Sequence, residues 1–361
     1  MTQVTDNPST RLSDSLSDDL LKEWLYDMQM IREFETRTMQ SYQAAKIGGF
    51  CHIYSGQEAC AVGTIRSVNW DDPVVTAYRD HGHALARHMD PKACMAEMYG
   101  KLEGCAKGKG GSMHMFDKPN ALYGGHGIVG AQTPLGAGLA FATRYNWEVR
   151  EVGEKKVTLC YLGDGAVDQG AFAEALNLSA LMGLPCIYII ENNGYSMGTA
   201  IHRHSAMSER LIGRGEAYGI KSIELDGFDV RHVYDVMKPL ADECRDLQQP
   251  AFVDLKTYRY QGHSMSDPQK YRTKDEVDSF KDKDSIAHLL DHLMNERSAI
   301  TEDEWKAMRK DISRIVKDSV DFAENATDPE LDELFSDVYI NPEKGLSPTA
   351  TYTRGAPNPM L

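Results

Sequence analysis

The chain has 361 residues, 42% of them apolar, and 39 basic against 54 acidic side chains give a formal net charge of −15. That length supports a sizeable core, either in two domains or in one large α/β domain with helical appendages. An acidic balance of this size repels phosphate backbones and anionic membranes, which disfavours nucleic-acid and membrane-surface roles. The longest apolar run, Leu184 to Ile190, is far short of the roughly 20 residues a spanning helix needs. Met1 to Asp19 is rich in Ser, Thr and Asp and has no apolar segment, so it reads as neither signal nor transit peptide. We expect residues 1–17 to be disordered. The seven cysteines are scattered without a C-x-x-C pair, which points to reduced thiols in a cytoplasm.

After Ser17-Asp18-Asp19, apolar residues at Leu20, Leu21, Trp24, Leu25, Met28, Ile31 and Phe34 have the spacing of a capped amphipathic helix. Ile47 to Gly63 reads as irregular and holds His52 and Glu58. Pro73 to Ala77 is a short buried strand running into Tyr78-Arg79-Asp80-His81-Gly82. Gly100 to Gly130 is glycine-rich with little periodicity, as a functional or disordered loop would be. Within it, Lys107-Gly-Lys-Gly-Gly-Ser112 resembles a P-loop only superficially, lacking a Gly-Lys-Ser/Thr ending and a preceding strand. Met113 and Met115 read as packing residues. Ala131 to Tyr145 is a helix rich in small residues.

Val157 to Leu162, Ala171 to Met182 and Pro185 to Ile190 follow as apolar strand, helix and apolar strand. Continuously apolar strands around a crossover helix mark a parallel βαβ unit covered on both faces. Strands at Ile220 to Leu225 and Ala251 to Tyr258 flank a helix from Val230 to Leu247, so the fold class is α/β, a doubly wound, mostly parallel sheet. From about residue 275 charged amphipathic helices take over, with a capping box at Thr301 and Glu304. The Pro/Gly/Ser/Thr-rich tail, 341–361, is expected to be disordered, leaving one α/β domain over 18–340 with N- and C-terminal helical segments.

Ligands of open α/β sheets sit beyond the carboxyl ends of the strands. The first strand of the βαβ unit ends in Gly163-Asp164-Gly165 and the second in Glu191-Asn192-Asn193-Gly194, with 26 residues between Gly165 and Asn192. Either piece alone reads as a turn. Together, one crossover apart, they bring a carboxylate and an amide oxygen near each other, hard ligands suited to Mg²⁺ or Ca²⁺. The flanking glycines admit a diphosphate, and the following helix adds N–H groups. Asn193 is the expected side-chain ligand rather than Asn192. The histidines His202 and His204 read as solvated loop residues rather than a metal site.

This spacing resembles the cofactor signature of thiamine-diphosphate enzymes. Gly49 to His52, Ser55 to Cys60, Thr76 to Gly82, Gly110 to His114, Gly127 to Gln132, Glu191 to Thr199 and Tyr258 to Pro268 extend the resemblance. Over roughly 20–340 the chain resembles alpha subunits of the heterotetrameric pyruvate dehydrogenase (acetyl-transferring), which have the thiamine-diphosphate-binding fold. The resemblance implies Asp164 and Asn193 as Mg²⁺ ligands, with the Tyr195 carbonyl as a third. It implies Tyr78, Arg79, Gly165 and Ala166 at the diphosphate and the Gly127 and Val129 backbones at the aminopyrimidine. His52 and His263 correspond to the family's active-site histidines, His263 also touching the cofactor. Mitochondrial relatives are phosphorylated around Ser264; here Gln269-Lys270-Tyr271 and Ala200 lack the other serines of those loops, so kinase control is not expected.

The implied reaction is oxidative decarboxylation of pyruvate with transfer of the acetyl unit to lipoamide on a dihydrolipoyl acetyltransferase core. The activating glutamate of this enzyme class belongs to a pyrimidine-binding domain, and only one doubly wound domain is legible here. The resemblance places the pyrimidine-binding domain on a beta subunit and implies a tetramer of two of each, with the isolated chain inactive. An acetoin or branched-chain 2-oxo acid dehydrogenase alpha subunit remains the alternative.

Overall fold

The computed structural model describes residues 11–337. Its eight strands are β1 (Val74–Ala77), β2 (Leu122–His126), β3 (Thr158–Gly163), β4 (Cys186–Asn192), the short hairpin β5 (Tyr195–Ser196) and β6 (Thr199–Ala200), β7 (Lys221–Asp226) and β8 (Ala251–Lys256). Six of them form one sheet in the order β2-β1-β3-β4-β8-β7, and every pairing in it is parallel. The expected βαβ unit is β3, α6 (Gly170–Met182) and β4, with Gly163 in register with Glu191.

The apolar runs are continuous because both faces are covered. Leu159, Tyr161, Ile187, Ile189, Val253 and Leu255 point into one core, while Cys160, Leu162, Tyr188, Ile190 and Phe252 point into the other. This is the period-two alternation of a strand, and each large side chain sealed there contributes about 1.5–3 kcal/mol. The first core lies under α1 (Asp18–Gln43), α2 (Glu58–Ile65), α3 (His81–Ala86), α4 (Pro91–Met98), α8 (Val230–Leu247), α10 (Ser285–Asp291) and α11 (Glu302–Asn325). The second lies under α5 (Gln132–Glu148) and α6, with α7 (Gly213–Glu216) beside β7. The remaining helix, α9 (Lys274–Lys281), is capped by Thr273.

Helix ends follow sequence chemistry. Ser17 Oγ accepts from the Leu20 N–H at 3.2 Å, and the Thr301–Glu304 capping box closes in both directions, a contribution of about 1 kcal/mol each. α1 runs past the apolar stripe because its last turns bury Glu35, Thr38 and Ser41. No helix of the described residues is long and apolar enough to cross a membrane.

Three segments differ from expectation. Residues 11–17 were assigned to a disordered N-terminus by composition, yet they are held in place. Ser13 donates to Asp235 through N and Oγ at 2.7 and 2.9 Å, and Arg297 donates to the carbonyls of Ser13, Asp14 and Leu16. Polar partners distant in sequence do what apolar content could not. The irregular stretch 47–63 contains the start of α2, whose eight residues are all buried and whose Glu58 pairs with Arg32. The glycine-rich stretch hides β2, an edge strand whose Gly124 and Gly125 carry no strand-forming signal. The tail at 341–361 and residues 338–340 of the expected domain lie outside the described residues.

The P-loop look-alike has its own explanation. The buried Glu97 carboxylate accepts the backbone N–H groups of Ala106, Gly108, Gly110 and Gly111 at 2.7–3.0 Å. The loop curls around an internal carboxylate, and its N–H groups are therefore not free for a phosphate.

Candidate active site

The chain reverses direction across the sheet between β1 and β3, and that switch point opens a cavity of about 730 Å³. Tyr78 and Arg79 follow β1, Gly127 and Val129 follow β2, and Asp164, Gly165 and Ala166 follow β3. Asn193 follows β4, Tyr195 opens the hairpin, and His263 comes from the segment after β8. His52 arrives from the segment before α2. All of these sequence-derived residues line the one cavity.

Strand alternation separates the two asparagines. Asn192 turns away, donating to Asp254 Oδ1 at 2.9 Å, while Asn193 faces the cavity beside Glu191. Gln57 Oε1 accepts from Asn193 Nδ2 at 3.3 Å and so fixes the amide. Asn193 Oδ1 and the Tyr195 carbonyl then converge on a single cation, Arg259 Nη1, at 3.3 and 3.2 Å. Asp164 is 1% exposed, and its Oδ2 is buried with no hydrogen-bond partner. Among the described residues no group of three or more His, Cys, Asp or Glu side chains is placed to hold a metal. An ion here would draw instead on one carboxylate, one amide and one carbonyl oxygen, a hard set that fits Mg²⁺.

A cationic patch adjoins these oxygens. Arg79 and Arg259 are 7% and 1% exposed. Arg79 donates to the carbonyls of Ile53 and His263, both at 2.8 Å. Besides the two oxygens above, Arg259 donates to the Met197 carbonyl and to the Tyr271 hydroxyl, the latter at 2.8 Å. None of these partners is a carboxylate. Two buried guanidiniums without an ion pair are costly unless an anion completes them, and burial together with neighbouring Arg259 lowers the Arg79 pKa. The close approach at Gly165 is enforced by Ser196, whose Oγ and Cβ would clash with an added Cβ.

The histidines form the third wall. The His52 ring lies 4.5 Å from Tyr78 and 5.1 Å from His263, centroid to centroid. Burial, then Arg79, pushes His263 down to about 4 and His52 to about 2, so both rings are neutral. The His52 backbone N–H donates to Ser112 Oγ at 3.2 Å, and that hydroxyl is within 2.9 Å of His81 Nε2. His81 Nδ1 in turn sits 3.0 Å from Glu35 Oε2. Burial disfavours a charged His81, but Glu35 outweighs it and raises the pKa. Phe50 and Val129 line the cavity while remaining 65% and 41% exposed.

Sequence reasoning gave no role to Arg259, Gln57 or Glu191. Arg259 stood inside a quoted motif, but only the fold aims it at the Asn193 loop. Gln57 and Glu191 could have been found by asking what satisfies an amide and a carboxylate at a buried strand end. His202 is exposed as expected, whereas His204 is turned inward toward Asp164 and Asp168.

Residues 26–332 match the family described as Dehydrogenase E1 component. The chain is 46% identical over 314 residues to the pyruvate dehydrogenase E1 component subunit alpha of Rickettsia prowazekii, covering 87% of this chain and 94% of that one. The protein of the same name from Rhizobium meliloti is also 46% identical over 314 residues, covering 87% and 88%. The somatic mitochondrial form from Bos taurus is 43% identical over 316 residues, covering 87% and 78%. A family match over most of the length, with the cavity at the sheet's switch point, establishes that the chain belongs to the dehydrogenase E1 component family.

Proposed function

We propose that the chain is the alpha subunit of a pyruvate dehydrogenase (acetyl-transferring), dependent on thiamine diphosphate and Mg²⁺. It catalyses oxidative decarboxylation of pyruvate and passes the acetyl unit to lipoamide of a dihydrolipoyl acetyltransferase core. The relatives named above support the activity. The observation that carries the cofactor reading is the pair of buried guanidiniums without carboxylate partners, Arg79 and Arg259, in the same cavity as Asp164, with Arg259 bonded directly to Asn193 Oδ1 and the Tyr195 carbonyl.

When bound, thiamine diphosphate supplies a nucleophilic carbon and the electron sink for loss of CO₂. The chain's own groups bind and orient. Asp164, Asn193 and the Tyr195 carbonyl hold Mg²⁺, with Gln57 fixing the Asn193 amide. Tyr78, Arg79 and the Gly165 and Ala166 backbones hold the diphosphate. The Gly127 and Val129 backbones border the aminopyrimidine. The neutral His52 and His263 steady the substrate and assist transfer to lipoamide.

A beta subunit completes the site. Glu191, the only glutamate among the described residues that line the cavity, accepts the Tyr54 hydroxyl on Oε1. The activating glutamate comes from that partner, as the family resemblance implies, in a tetramer of two alpha and two beta chains. We assign 18–340 to one domain, with residues 11–17 packed against it, and the reaction to the cytoplasm, in keeping with the seven free thiols.

Co-expression with a beta subunit and assay of pyruvate-dependent reduction of an artificial electron acceptor tests this. Activity that needs the partner, Mg²⁺ and thiamine diphosphate together is expected. Full activity from the alpha chain alone, or preference for acetoin or a branched 2-oxo acid, would overturn it.

A further inference from the structure

His204 has no part in the reading above. It follows the 3-10 turn Ile201–Arg203, and its side chain is 17% exposed. Nδ1 lies 3.3 Å from Asp168 Oδ2, and Nε2 lies 3.8 Å from Asp164 Oδ2. Asp168 is held on its other oxygen by Arg214 Nη2, which also donates to Ser205 Oγ at 3.0 Å. Arg214 Nη1 is tied down in turn by the Val167 carbonyl at 3.0 Å. The link is anchored at its far end: a guanidinium fixes a carboxylate, the carboxylate fixes the ring, and the ring's second nitrogen faces Asp164. Both atoms at the near end, His204 Nε2 and Asp164 Oδ2, are buried and have no hydrogen-bond partner. A shift of under about 1 Å brings them within hydrogen-bond range.

The geometry points to His204 as a positioning residue for Asp164. Braced on Asp168, Nε2 holds one oxygen of the Asp164 carboxylate and leaves the other to meet the divalent cation of the diphosphate. This rests on the cofactor reading above. Groups that orient a metal's ligands govern its affinity, and their loss typically costs 10–100-fold.

The test uses the assembled alpha–beta protein at saturating thiamine diphosphate, with Mg²⁺ Kd read from quenching of intrinsic fluorescence. His204→Ala is expected to weaken Mg²⁺ binding 10–100-fold while leaving the melting temperature of the metal-free assembly unchanged. His204→Gln, whose amide N–H reaches the position of Nε2, is expected to recover most of the loss. An alanine variant within about twofold of wild type, or a glutamine variant no tighter than alanine, overturns the assignment. Should the alanine variant fail to assemble, Asp168→Asn reads the same link: weakened Mg²⁺ binding supports it and wild-type binding overturns it. A wild-type assembly that binds thiamine diphosphate without needing Mg²⁺ overturns the cofactor reading itself and the role of His204 with it.

Discussion

Replacing Arg79 by methionine separates an anion-binding charge from a structural one. The guanidinium is 7% exposed and bonded only to the carbonyls of Ile53 and His263, with Arg259 as a like-charged neighbour. Losing those two hydrogen bonds costs about 1–3 kcal/mol, and ending the burial of an unpaired charge offsets a similar amount. The cofactor-free assembly should therefore change stability by less than about 1.5 kcal/mol. Binding is a different matter. A unit charge about 5 Å from a phosphate oxygen, at an effective dielectric near 20, is worth about 3 kcal/mol, which is about 100-fold in affinity. Thiamine diphosphate titrated into wild-type and Arg79→Met assemblies at saturating Mg²⁺, beside urea unfolding of each, measures both quantities. A variant that binds as tightly as wild type, or one that loses about 4 kcal/mol of stability, would refute the reasoning.

Other perturbations address other walls. Asp164→Ala should abolish Mg²⁺-dependent cofactor binding and activity together, as followed by calorimetry and by acceptor reduction. Gly165→Ala should weaken cofactor binding by about tenfold or more, because the new methyl meets Ser196 and only a shift of the hairpin relieves it. His263 titrates near 4 in the folded chain against roughly 6.5 unfolded, so the folded state binds fewer protons between those values. Its contribution to stability is complete above pH 6.5 and declines as pH falls toward 4; histidine NMR shifts should show that titration, and Arg79→Met should move it upward. Glu97→Ala strands four backbone N–H groups and should cost about 3–5 kcal/mol in urea unfolding.

Legibility in the sequence followed the range of the interactions. The central strands and α6 were readable because burial on both faces demands unbroken apolar runs, and the Asp164–Asn193 pairing followed from one crossover length. The preference for Asn193 over Asn192 agrees with strand alternation, which turns Asn192 toward Asp254. What failed to show was stabilised by partners far away in the chain. Residues 11–17 depend on Asp235 and Arg297, and the 104–111 loop depends on Glu97. β2 forms because β1 offers an edge, despite its glycines. His204 looked like any polar loop residue, since its inward turn is set by Asp168 and Arg214.

The central claim is that Asp164, Asn193 and the Tyr195 carbonyl form the protein's share of one metal site. The direct measurement is anomalous diffraction from crystals of the alpha–beta assembly grown with Mn²⁺ in place of Mg²⁺ and with thiamine diphosphate. A single strong peak about 2.1 Å from those three oxygens is predicted. A peak at Asn192, or a Mn²⁺ ion that leaves Asp164 uncoordinated, would contradict the account.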